Sequence, residues 1–109
     1  MNKKIVSAEF PEGIKVVYFA NLTIQIIVSW FKNFGHLLVE NDRRSFQDRE
    51  YIGFTIWRGM ERAGYQIVQG IFASKNQKVY DARVIQASSV DLSIKQAHGD
   101  GKMEVAFWQ

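Results

Sequence analysis

Val17-Tyr18-Phe19-Ala20-Asn21-Leu22, answered some thirty residues later by Arg49-Glu50-Tyr51-Ile52-Gly53-Phe54-Thr55-Ile56-Trp57, is the pair of stretches on which the fold turns. Both are rich in β-branched and aromatic residues, the side chains that fit a pleated, half-buried surface. The first reaches back to Ile14 and stops at Asn21, a residue suited to capping a helix. In the second, Ile52, Phe54 and Ile56 alternate with Tyr51, Gly53, Thr55 and Trp57, the period of a strand. The apolar triplet is the more uniform face, so it is expected to pack against helices and to turn Tyr51 and Trp57 outward.

Between these strands, Ile24, Ile27, Val28, Phe31 and Phe34 recur at helical spacing, although Leu22, Ile24, Ile26, Val28 and Trp30 also alternate. The spacing predicts a helix over 22–34 with Gly35 as its left-handed terminus, then a strand over His36-Leu37-Leu38-Val39-Glu40 and a polar, basic loop from Asn41 to Asp48. Further on, Met60, Ala63, Ile67 and Val68 give a second helical stripe over 58–69, weakened by Gly64 and ended by Gly70. A strand over 78–87 follows the turn Lys75-Asn76-Gln77. The order strand, helix, strand, strand, helix, strand predicts an α+β fold: a ferredoxin-like βαββαβ sandwich with two helices on one face of an antiparallel sheet and the other face open. Two pieces flank this core over 14–87. Residues 1–13 read as a short N-terminal strand ending at Pro11-Glu12-Gly13. Residues 88–109 read as a hairpin in which Val90, Leu92, Ile94 and then Met103, Val105, Phe107 share an apolar face about the turn His98-Gly99-Asp100-Gly101.

The chain has 109 residues, 47% hydrophobic and 14% aromatic, with a single proline, which predicts one globular domain and not a disordered chain. It holds no cysteine and only His36 and His98 as histidines, so neither a disulfide framework nor a metal centre is expected. The apolar run after Lys3 and Lys4 is broken by Glu9 and Glu12, and no span reaches membrane length, so an intracellular location without membrane insertion is the expectation. A formal charge of +3 favours polyanionic partners modestly, and five of six arginines (Arg43, Arg44, Arg49, Arg58 and Arg62) fall within twenty residues. The acids are scattered singly, and no serine–histidine or paired-carboxylate constellation is present, so enzymatic activity and a small-molecule cofactor are not expected.

The hexamer Val17 to Leu22 and the segment Arg49 to Trp57 resemble the two strand signatures of the RNA recognition motif family. In that family the two strands lie side by side, and their aromatics stack on unpaired bases. The hexamer departs at Phe19, where an aliphatic is usual. The octamer fits in either of two registers, with Phe54 or with Tyr51 as its first stacking ring. The resemblance implies single-stranded RNA binding through Tyr18 and Tyr51 on the open sheet face, Arg49 meeting phosphate at the strand end, Trp57 closing the motif, and Arg43 and Arg44 closing a loop over bound RNA.

The rival reading is a non-enzymatic protein-binding module, a small adaptor or inhibitor, with the sheet face covered by the terminal strands or the sheet extended into a homodimer. In that case the same rings are packing residues, and the arginines form a solvated face beside Asp48, Glu50 and Glu61.

Overall fold

A computed structural model of the chain describes residues 13–34, 51–60, 64–73 and 78–108. Within them the elements run β1 (Lys15–Leu22), α1 (Ile24–Lys32), β2 (Tyr51–Met60), β3 (Gly64–Ala73), β4 (Lys78–Val90), α2 (Leu92–Ala97) and β5 (Val105–Trp108). They form an α+β fold with one five-stranded mixed sheet of order β1-β4-β3-β2-β5. The β1–β4 pair is parallel, and the other three pairs are antiparallel.

The first helix forms where its spacing predicts, but its cap is Thr23. The Thr23 Oγ accepts from the Ile26 amide at 3.2 Å, while Asn21 continues β1 and donates from its amide to Asp91. Ile27 and Phe31, four apart, are the buried stripe of α1.

The helix expected over 58–69 is absent, and the end of β2 and the first half of β3 occupy its described residues. Ile67, Val68 and Ile71 satisfy both periods, so the stripe alone does not discriminate. Around them, Tyr65, Ile67, Gln69 and Ile71 alternate with Val68, Gly70 and Phe72, and two glycines oppose a helix. Gly64, at φ +88°, opens β3 in a conformation that favours glycine, with the Ala87 carbonyl 2.5 Å from where a Cβ would stand.

The expected C-terminal hairpin is also replaced. Its first arm is α2, in which Ile94 alone is buried and Leu92 is exposed. Its second arm is β5, on the outer edge of β2. Gly99, Asp100 and Gly101 take successive positive φ values and turn the chain between them. Together these differences set the sheet apart from the expected sandwich: one expected helix is a strand, and β1 and β2 are not neighbours. The expected strand over 1–13, apart from Gly13, and the expected strand over 36–40 lie outside the described residues.

Both faces of the sheet carry buried residues. On the helix side, Leu22, Ile27, Phe31, Ile67, Ile71, Ile85, Ala87 and Ile94 form one cluster, with Tyr51, Trp57 and Trp108 packed against it. On the other side Ile52, Phe54, Ile56, Phe72 and Val105 form a second cluster. The expected orientation of β2 is therefore reversed, because Gly53 is needed on the helix side. A Cβ there would stand 2.8 Å from the ring of Phe31. The face expected to be open is closed along β2.

At the β5 end one polar chain threads the interior. The Trp108 indole donates to the Thr55 Oγ at 2.7 Å, the Thr55 hydroxyl donates to His98 Nε2 at 2.7 Å, and His98 Nδ1 donates to the Met103 carbonyl at 2.9 Å. This direction follows from the indole, which only donates, and from the carbonyl, which only accepts. Thr55 and His98 are fully buried, and burial lowers the His98 pKa from its ordinary 6.5, so the ring is held neutral.

Candidate functional site

Of the residues implicated by the sequence, three are described, and Tyr18 stands apart from Tyr51 and Trp57. Tyr18 lies on β1, 65% exposed, with its hydroxyl hydrogen-bonded to that of Ser88. Tyr51 lies on β2, half-buried, its ring edge-on to Tyr80. Two strands separate β1 from β2, three spacings of about 4.8 Å or roughly 14 Å. The two rings also face opposite ways, since Val17 and Phe19 flank Tyr18 and pack on the helix-side cluster, as Tyr51 does. The two-ring platform is not assembled. Trp57 is half-buried between Tyr65 and His98, its ring 5.3 and 5.7 Å from theirs. Arg43, Arg44 and Arg49 lie outside the described residues.

What the fold brings together is centred on Arg83 of β4, beside the β1 edge. Strand pairing sets Arg83 in register with Lys15 of β1. Parallel register partners share a face, and that face is the one under α1. The guanidinium lies 5.4 Å from the ring centroid of Trp30 on α1 and 5.8 Å from that of Phe19 on β1. Such contacts contribute about 0.5–1 kcal/mol each where exposed and more when dry.

Behind Arg83 stands Gln69, fully buried on β3. Its Oε1 accepts from Arg83 Nε at 2.9 Å, and its Nε2 donates to the Ile27 carbonyl at 2.7 Å. The second bond fixes which end of the amide faces the arginine. Arg83 Nη2 donates in addition to the Ile26 carbonyl at 3.3 Å.

A cleft lies on each side of this arginine. One, about 420 Å³, lies between α1 and Phe19, with Gln25, Ser29 and Asn33 presented on successive turns. The other, about 310 Å³, is bordered by Lys15, Val17, Asp81 and Ala82. Arg83 and Trp30 wall both. The Arg58–Glu104 ion pair lies elsewhere, and among the described residues no carboxylate pairs with Arg83. Asp81, the acid of the second cleft, accepts from the Ala82 amide at 2.8 Å. Burial lowers the Arg83 pKa, and the group still stays charged. A half-desolvated cation held by neutral groups attracts an anion.

The strand beneath these clefts is itself exposed. Among the described strands β1 ends the sheet, and Val16 and Tyr18 are 61% and 65% exposed. Among the described residues no group of His, Cys, Asp or Glu is placed to hold a metal ion, and no helix is long and apolar enough to cross a membrane.

The site was missed in the sequence because Arg83 and Gln69 stand singly within apolar strands, where a polar residue reads as solvent-facing. A usable signal was present: Arg83 is the one arginine outside the 43–62 cluster, in a run that otherwise reads as a buried strand. Comparison with protein-family models, with curated proteins and with solved structures returns no match.

Proposed function

We propose that the chain is a non-catalytic binding module that recognises an extended segment of another protein by adding it as a further strand along the β1 edge. The observation that carries this reading is the state of β1: eight residues, free of proline, with its one charge at Lys15 and with Val16 and Tyr18 largely exposed. Unpaired strand edges are templates for another chain, and proteins that do not use them blunt them with charge, proline or bulges. β1 has none of these beyond Lys15. An added strand gains affinity from main-chain hydrogen bonds and specificity from pockets for alternate side chains, and the Arg83 clefts flank β1 on one face in the place where such pockets belong. The positive charge on that face favours an acidic segment.

The test is a fluorescence-anisotropy titration of the full chain with a labelled, blocked hexapeptide of alternating valine and glutamate, and in parallel with an oligouridylate of matched charge. Saturable peptide binding that survives a rise in salt, with weaker binding of the oligonucleotide, is expected. Oligonucleotide binding with a steep salt dependence and no peptide binding returns the protein to the single-stranded RNA reading. Self-association of the chain alone at micromolar concentration assigns the edge to a second copy.

A further inference from the structure

The geometry points to the Arg83 clefts as a carboxylate pocket that takes the side chain of an aspartate or glutamate carried by the partner. The inference rests on the β1-edge reading for where the carboxylate comes from, and on the pocket itself for its chemistry. An arginine side chain carries five N–H donors. In Arg83 one is used by Gln69 and one by the Ile26 carbonyl, which leaves three without an acceptor among the described residues, beside two open clefts. A planar guanidinium with free donors matches a carboxylate in a two-point fork.

The plane is held in advance. Trp30 and Phe19 pack against the guanidinium, and Gln69 is locked by the Ile27 carbonyl. Burying a glutamine completely, and running its hydrogen bonds from a cation to a helix carbonyl, costs desolvation that an apolar side chain at position 69 avoids. Neither group is needed to complete the cluster around Ile67, Ile71 and Ile85. Pre-organising a charged fork is what the arrangement achieves, and it lowers the ordering cost when an anion arrives. Lys15 adds a second cation to the smaller cleft, and Gln25, Ser29 and Asn33 supply neutral hydrogen-bonding groups in the larger.

The experiment uses the full ¹⁵N-labelled chain and N-acetylglutamic acid α-amide as the probe, with N-acetylglutamine amide as its neutral isostere and uridine monophosphate as the competing anion, at constant ionic strength. The Arg83 Nε–H and Trp30 indole resonances are followed. Saturable shifts in the ~1–10 mM range are expected for the glutamate probe. The glutamine probe should bind at least tenfold more weakly. Arg83→Met, which keeps the stem against the rings, should abolish the Trp30 shift. Arg83→Lys, which keeps the charge without the fork, should fall between. Equal binding of the two amides, an unchanged Trp30 shift in Arg83→Met, or tighter binding of uridine monophosphate overturns the assignment. If the glutamate probe fails while the valine–glutamate hexapeptide still binds, the pocket is refuted and the edge reading stands. The reverse outcome refutes the edge and leaves the pocket.

Discussion

Among the described strands the sheet ends in two edges that are built oppositely. β5 is four residues long, its first two buried, and Trp108 fastens it to Thr55 and His98 in a chain with every donor and acceptor matched. β1 is eight residues long and largely exposed, and the polar chain beside it, from the Ile27 carbonyl through Gln69 to Arg83, ends in donors with no acceptor among the described residues. Short covered edges resist pairing with other chains, and long exposed ones invite it. A closed polar network rigidifies a fold. An open one, with donors left over beside a cleft, is arranged to receive something.

The contrast breaks first at His98. His98→Ala removes a buried ring, and it leaves the Thr55 hydroxyl proton without its acceptor and the Met103 carbonyl without the ring's donor, which should cost about 3–5 kcal/mol in urea denaturation. Thr55→Val keeps the volume but unpairs the Trp108 indole and His98 Nε2, at about 2–4 kcal/mol. A loss under ~1 kcal/mol for either would show that the β5 edge is not held by this chain.

The same ring predicts a pH dependence. Its folded pKa lies below 6.5, so the unfolded chain takes up the proton first as pH falls. The stabilisation from neutral His98 is fully present above about pH 6.5 and is lost as pH falls through the folded pKa. Denaturation midpoints of the native chain measured from pH 7.5 to 4.5, relative to those of His98→Phe, should fall in that window. A constant difference would contradict the assigned proton positions.

How much of this was legible in the sequence differs between the two edges. β1, α1 and β2 were readable from Val16 to Phe19, from Ile27 and Phe31, and from the alternation after Tyr51, because local period and burial agree there. β3 was not, since Ile67, Val68 and Ile71 fit a helix as well as a strand, and what decides is pairing with β2 and β4. Nor was α2, whose Leu92 and Ile94 fit an alternating strand over so short a span. The faces of β2 were read in reverse because hydrophobicity ranks Ile52, Phe54 and Ile56 first, while the contact that orients the strand is Phe31 over the empty side of Gly53. Beyond the isolated Arg83, the candidate site was illegible for a related reason. Arg83, Gln69, Trp30 and Phe19 come from four different elements, and only strand order and the packing of α1 on the sheet bring them together.

At the β1 edge the expected effects on stability are smaller. Gln69→Leu removes one buried and one part-buried hydrogen bond while filling its space, and should cost about 1–2 kcal/mol and release Arg83 from its fixed plane. Arg83→Met should cost about 1–2 kcal/mol, since it keeps the packing against Trp30 and Phe19 but leaves the Oε1 of buried Gln69 without its donor. A loss from Arg83→Met as large as that from Thr55→Val would make Arg83 a structural residue and erase the difference between the edges.

The most direct measurement is amide hydrogen exchange of the full chain with and without the valine–glutamate hexapeptide. Main-chain pairing along one strand predicts new protection at alternate amides of Lys15–Leu22, those pointing away from β4, with Val105–Trp108 unchanged. Protection at β5, or no new protection along β1 at saturating peptide, would contradict the proposal that β1 is the edge this protein presents to a partner.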